Sequence, residues 1–139
     1  MELGRVLLTG LVIGVLGNIA HFLAHTFIGA KQVKEFYEKN PNAMAEGMNE
    51  KTAVIRAVIL TFVYGFVTAW VFSFGDDYLA ANGIGGGFMF GLALWLGYWA
   101  IEYTHTTFAR MPMPMRIADL TGYGVMLMGG GMIAAGMLV

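Results

Sequence analysis

From Val6 to Ile28 the chain carries no Asp, Glu, Lys or Arg, and three further apolar stretches of similar length follow. No other feature constrains the fold as tightly. At 1.5 Å per residue a helix over the first stretch reaches ~35 Å, enough to cross a hydrocarbon core of ~30 Å. Charged residues make up 12% of the sequence and hydrophobic residues 58%, against roughly 25% charge in a soluble domain. The mean hydropathy of +0.66 points the same way. The expected class is all-α: a polytopic membrane protein of one domain, residues 1–139, with four transmembrane helices in an up-down-up-down bundle.

The spans are expected at about 6–28, 53–74, 87–108 and 117–139, with a polar loop at about 30–51. Arg5 before an apolar run resembles a signal peptide, but the run is too long and lacks a small-x-small cleavage site, so it reads as a retained span. Gly10, Gly14, Gly17, Asn18, His21 and His25 recur at steps of three and four. They share a face suited to close helix packing, which turns Leu8, Leu11, Val15 and Phe22 towards lipid.

In the polar loop, Lys31 with Glu35 and Lys34 with Glu38 are four apart. That spacing predicts that the first helix continues or that a short interfacial helix follows, ended by Pro41. Val33, Phe36 and Tyr37 would rest on the membrane surface. Thr52 is the expected N-cap of the second span, Gly75-Asp76-Asp77 its end, and Gly83 to Gly87 a flexible turn. Met111-Pro112-Met113-Pro114-Met115 cannot be helical throughout, so the fourth helix should start near Pro114 or Met115. Gly129-Gly130-Gly131 and Gly136 mark close packing or a flexible point in that helix.

Of the eight Lys and Arg residues, Arg5 alone falls on one side of these spans. Lys31, Lys34, Lys39, Lys51, Arg56, Arg110 and Arg116 fall on the other. This bias places both termini outside the cytoplasm, in a bacterial or archaeal cytoplasmic membrane.

Alternating spans bring distant residues to one level. His21, His25, Glu102, His105, Arg56 and Asp119 should lie within about two turns of the cytoplasmic side. In the third span Gly91, Trp95, Tyr98, Glu102 and His105 form one stripe. Ionisable groups inside a span mark either a site or a packing joint. As a site, His21, His25, Glu102 and His105 could hold a single transition-metal ion, such as zinc, iron, copper or manganese, or move protons. A di-iron centre would need a second Glu-x-x-His motif and more carboxylates than the spans contain.

As a joint, Glu102 would pair with Arg56, and Asp119 with Arg116 or a His, satisfying buried polar groups without a ligand. The joint is the simpler reading. The Met-Pro-Met run could bind Cu(I), but reads more simply as a stiff turn. Trp70, Trp95, Trp99, Tyr64, Tyr98 and Tyr103 could line a pigment or quinone pocket, although aromatics near span ends are common interfacial anchors.

Other chemistry is absent. The chain has no Cys, so disulfides and thiolate sites are excluded, and its net charge of −1 gives no reason to expect nucleic acid. No Gly-rich phosphate loop, Ser nucleophile motif or HExxH occurs.

Gly91-Leu92-Ala93-Leu94-Trp95-Leu96-Gly97-Tyr98, then Phe108 and an Arg/Pro turn, then Gly122-Tyr123 and Met128-Gly129, resemble a four-span membrane family called domain-of-unknown-function family 1761. The likeness covers about the last 50 residues, with an echo in Phe27-Ile28-Gly29. It implies a small four-helix membrane fold and carries over no activity. Where that family shows a Trp-Tyr pair in its first span, this chain has His21 and His25.

The expected function is that of a non-catalytic membrane protein that acts by packing, as an accessory or structural subunit or as a homo-oligomer. Its partners would be the bilayer and other membrane chains or further copies of itself. The alternative is a metal- or proton-handling transporter or redox protein built on the His/Glu layer.

Overall fold

The apolar stretches form helices whose ends are set by Gly, Pro and Asn. In the computed structural model, residues 2–43, 49–108 and 111–139 are described, without the side chains of residue 42 and residues 105–108. Helix α1 spans Leu3–Phe27, α2 Ala30–Lys39, α3 Glu50–Ser73, α4 Asp76–Phe108 and α5 Met113–Met137. A short 3-10 turn covers Pro41–Ala43. Among the described residues, four helical stretches are long and apolar enough to cross a membrane: α1, α3, Asp76–Thr104 of α4, and α5.

Helix α1 does not continue into the polar loop. Gly29 turns left-handed at φ 80°, a conformation that a Cβ disfavours by ~1–2 kcal/mol. The chain restarts there as the separate, amphipathic α2. Its Val33, Phe36 and Tyr37 are half-buried while Lys31, Lys34 and Lys39 are exposed. Lys31 reaches Glu35 at 3.9 Å and Lys34 reaches Glu38 at 4.0 Å. The Tyr37 hydroxyl donates to Met115 Sδ at 3.9 Å, tying α2 to the start of α5.

Two boundaries differ from expectation. The N-cap of α3 is Asn49, whose Oδ1 accepts from the Thr52 N–H at 2.9 Å, so Thr52 already lies in the first turn. An Asn side chain ahead of an acidic first turn outcompetes the later Thr. The expected turn over Gly83 to Gly87 narrows to one residue: Gly83 sits at φ 57° and ψ −149°, with helix on either side. Gly86 and Gly87 are buried, and that packing keeps them helical. Helix α5 has Pro114 in its first turn, where a missing N–H costs nothing.

Helix α5 touches every other helix, and α1 packs against both α3 and α5. The contacts run in opposite register, so α1 is antiparallel to α3 and α5. A Cβ added at Gly10 would meet Phe66, at Gly14 Phe62, and at Gly17 Thr61 and Met126. Helices α4 and α5 are likewise antiparallel, with Gly87 against Gly131 and Gly91 against Leu127. Helices α3 and α4 flank this centre and meet near their shared turn, where Phe72 and Phe90 pack edge to face at 5.1 Å.

Ile13, Ala69, Phe72, Leu79, Met126 and Ala134 form the buried core. Leu8, Leu11, Val15 and Phe22 face outward as the glycine stripe requires. Ile55, Ile59, Val63 and Val67 of α3 are also exposed, an apolar surface that suits lipid.

Candidate functional site

Three helices each carry a pair of polar or aromatic side chains four residues apart: His21 and His25 on α1, Tyr98 and Glu102 on α4, Asp119 and Tyr123 on α5. That spacing puts both members of each pair on one face. Because α1 and α4 run antiparallel to α5, the faces meet at one level.

The best-defined contact is between His25 and Asp119. The imidazole Nε2–H donates to Asp119 Oδ1 at 2.8 Å, linking residues 94 apart in sequence. This is one of the joints expected from the sequence. A carboxylate on Nε2 fixes the ring's orientation and leaves Nδ1 as its free edge.

His21 is held differently. Its Nδ1 lies 2.8 Å from the Gly17 carbonyl, which can only accept, so Nδ1 carries the hydrogen. In the neutral ring Nε2 is then a lone-pair acceptor. That atom is buried and has no hydrogen-bond partner. The ring fits against α5 because residue 122 is glycine: a Cβ there would lie 2.7 Å from His21 Cδ2.

Tyr123 is the centre of the layer, and sequence reasoning missed it. His21 packs edge-on against it at 4.4 Å between ring centroids, Tyr64 at 5.4 Å and Tyr98 at 4.3 Å. Residues from all four long helices therefore converge on one ring. The readable signal was Tyr123 four residues after Asp119, matching the His21/His25 and Tyr98/Glu102 spacings. One turn away, the Trp95 indole N–H donates to the Leu120 carbonyl at 2.9 Å and fixes α4 against α5.

The other predicted residues are placed less centrally. Arg56 is exposed on α3, Glu102 is half-buried on α4, and no ion pair joins them. The reason is architectural: α3 and α4 meet at their shared turn and lie on opposite flanks where Arg56 and Glu102 occur. The His105 side chain lies outside the described residues. Among the described residues no group of three or more His, Asp or Glu side chains is arranged to hold a metal ion. The four-residue set of the metal reading, His21, His25, Glu102 and His105, is therefore described only in part.

Beside the His25–Asp119 pair, α1 and α3 part to leave a groove of about 630 Å³. Asn18, His21, His25, Asp119 and Tyr123 line its polar floor, and Phe22, Val54, Val58 and Leu60 its apolar walls. The Asn18 amide donates to the Gly14 carbonyl at 2.9 Å and to the Val58 carbonyl at 3.5 Å, at the point where the helices begin to separate.

Comparison with family models, curated proteins and solved structures finds no match to this chain. The likeness noted over the last two spans rests on sequence motifs alone.

Proposed function

We propose that this chain is an integral membrane protein crossing the bilayer four times, up-down-up-down, with both termini outside the cytoplasm, and that it acts by packing against other membrane chains or further copies of itself. The outer face of α4 carries this reading. Ala93, Gly97, Ala100 and Thr104 lie there at steps of four and three, all exposed. Nothing lies within 4 Å of a Cβ added at Gly97. Exposed Leu96 and Ile101 stand on either side.

Between α1 and α3, and between α4 and α5, comparable small residues admit a neighbouring backbone. On α4 the same pattern faces outward, whereas α3 turns bulky branched residues to the same surroundings. Close helix approach in a membrane depends on such small surfaces.

Because the chain has no Cys, a single Gly97→Cys substitution gives a clean crosslinking probe. In mild detergent or nanodiscs, oxidation should yield a dimer through Gly97→Cys and none through Val63→Cys if the chain self-associates. As an accessory subunit it should instead co-purify with a defined second chain, released by Gly97→Leu. A strictly monomeric particle with no co-purifying chain sinks the proposal.

The His25–Asp119 pair favours a second reading, proton movement through the layer. A carboxylate-bound imidazole in a span is suited to passing a proton between its two nitrogens. Proteoliposomes would then show a proton flux lost in Glu102→Gln and Asp119→Asn with the fold retained. Equal flux in protein-free vesicles removes this reading. The metal version predicts stoichiometric metal in the purified protein that is lost in His21→Ala/His25→Ala.

A further inference from the structure

We propose that the groove between α1 and α3 binds a lipophilic organic cation, with Asp119 as its counter-ion and the apolar walls of α1 and α3 around its body. The groove does not end at the His25–Asp119 pair. A second hollow of about 810 Å³ shares His25, Ala30 and Val54 with the first and continues past Lys34, Glu38 and Glu50 of α2 and α3. The inner part alone lies within the roughly 300–1,000 Å³ usual for small-molecule sites.

Charge selects the occupant. Across both hollows the lining carboxylates are Glu38, Glu50 and Asp119, and the one lining Lys or Arg among the described residues is Lys34. Lys34 is drawn towards Glu38 at 4.0 Å, and His25, which lines both hollows, is paired with Asp119 at 2.8 Å. The negative character of the passage therefore comes from Glu50 at the mouth and the second carboxylate oxygen of Asp119 at the floor. His25 shares Asp119 through one oxygen, Oδ1. A carboxylate can accept several hydrogen bonds or face a further positive charge.

Anionic lipid headgroups are repelled by this arrangement, and a small hydrated cation gains nothing from Phe22, Val54, Val58 and Leu60. A cation with an apolar or aromatic body uses both features. Tyr37 of the outer part adds a ring face that attracts positive charge. The attraction is strengthened because the floor lies among apolar side chains rather than in water.

Tetraphenylphosphonium and tetraphenylborate test this directly, since they share a shape and differ in the sign of charge. Equilibrium dialysis against the full chain in nanodiscs, with empty nanodiscs subtracted, should show saturable one-to-one binding of the phosphonium and none of the borate. Asp119→Asn keeps an oxygen for His25 and should weaken phosphonium binding by about tenfold or more. Glu50→Gln should weaken it by about threefold, because the mouth is better screened.

Val58→Trp, on an exposed wall, should abolish binding by filling the groove and serves if Asp119→Asn fails to fold. Three results would each overturn the proposal: equal binding of the borate, absence of saturable phosphonium binding to the wild-type chain, or a folded Asp119→Asn variant with unchanged affinity.

Discussion

The joint between α1 and α3 has two halves that share one face of α1 and behave in opposite ways. In the first half Gly10 and Gly14 let α3 approach backbone to backbone. A Cβ at Gly65 would lie 2.6 Å from the Gly14 nitrogen and 2.7 Å from the Gly10 oxygen. In the second half the same face carries His21 and His25, α3 answers with Val54 and Val58, and the helices part around a groove. Helix propensity is not what changes along this face. Side-chain size sets the approach distance, and of the rings that replace glycine His25 bonds Asp119 of α5 while His21 packs against Tyr123 of the same helix. Packing and site are thus two uses of one stripe.

Closing the first half should have the largest effect. In Gly65→Val the added atoms meet the backbone of α1, which cannot move aside as a side chain can. Relief requires α1 and α3 to separate along their whole contact, a loss of about 3 kcal/mol on overpacking magnitudes. Reversible unfolding in mixed micelles should show it, and Gly136→Val, where nothing lies within 4 Å of an added Cβ, should change little. Equal stability of the two variants would mean that the tight half does not hold the bundle.

The open half is fastened to α5, and Gly122→Ala addresses that fastening. The new methyl group meets the His21 ring, a side chain already packed against Tyr123. The expected cost is about 2 kcal/mol, smaller than at Gly65 because a ring can tilt. The shift should also perturb near-ultraviolet circular dichroism from Tyr123 and its neighbours. An unchanged spectrum would show that His21 is not seated there.

Asp119→Ala should cost less again, about 1 kcal/mol, since hydrogen bonds between helices in membranes contribute modestly. Asp119→Asn should recover most of the loss by offering His25 an acceptor. If alanine and asparagine destabilise equally, the His25–Asp119 bond adds nothing to the joint.

These differences explain what was legible in the sequence. The apolar runs and the glycine stripe followed from length and period, because each depends on neighbours three or four residues away. The His25–Asp119 partnership was within reach because antiparallel packing and a shared depth narrowed the candidates. Tyr123 was overlooked because its importance lies in four helices converging on it, which no local period records. Pairing Glu102 with Arg56 failed for a related reason: equal depth in a bundle does not place two residues on facing helices. The break at Gly83 was read too broadly, since Gly86 and Gly87 have the same composition but are buried where Gly83 is exposed.

The finest test of the comparison is Val58→Ile. Val58 is 41% exposed on the wall of the open half, so one added methylene has room and should change stability by no more than about 0.5 kcal/mol. Phe62, one turn further along α3, packs against Gly14 in the closed half. Enlarging Phe62 to Trp adds volume where α1 is already in contact and should cost about 1–2 kcal/mol. The two substitutions sit four residues apart, on one helix and in one apolar environment, so propensity and lipid exposure differ little between them. A measured gap in unfolding free energy would locate the boundary between the halves within that single turn. Equal costs would mean that the groove closes over Val58 in the bilayer and that the halves are not distinct.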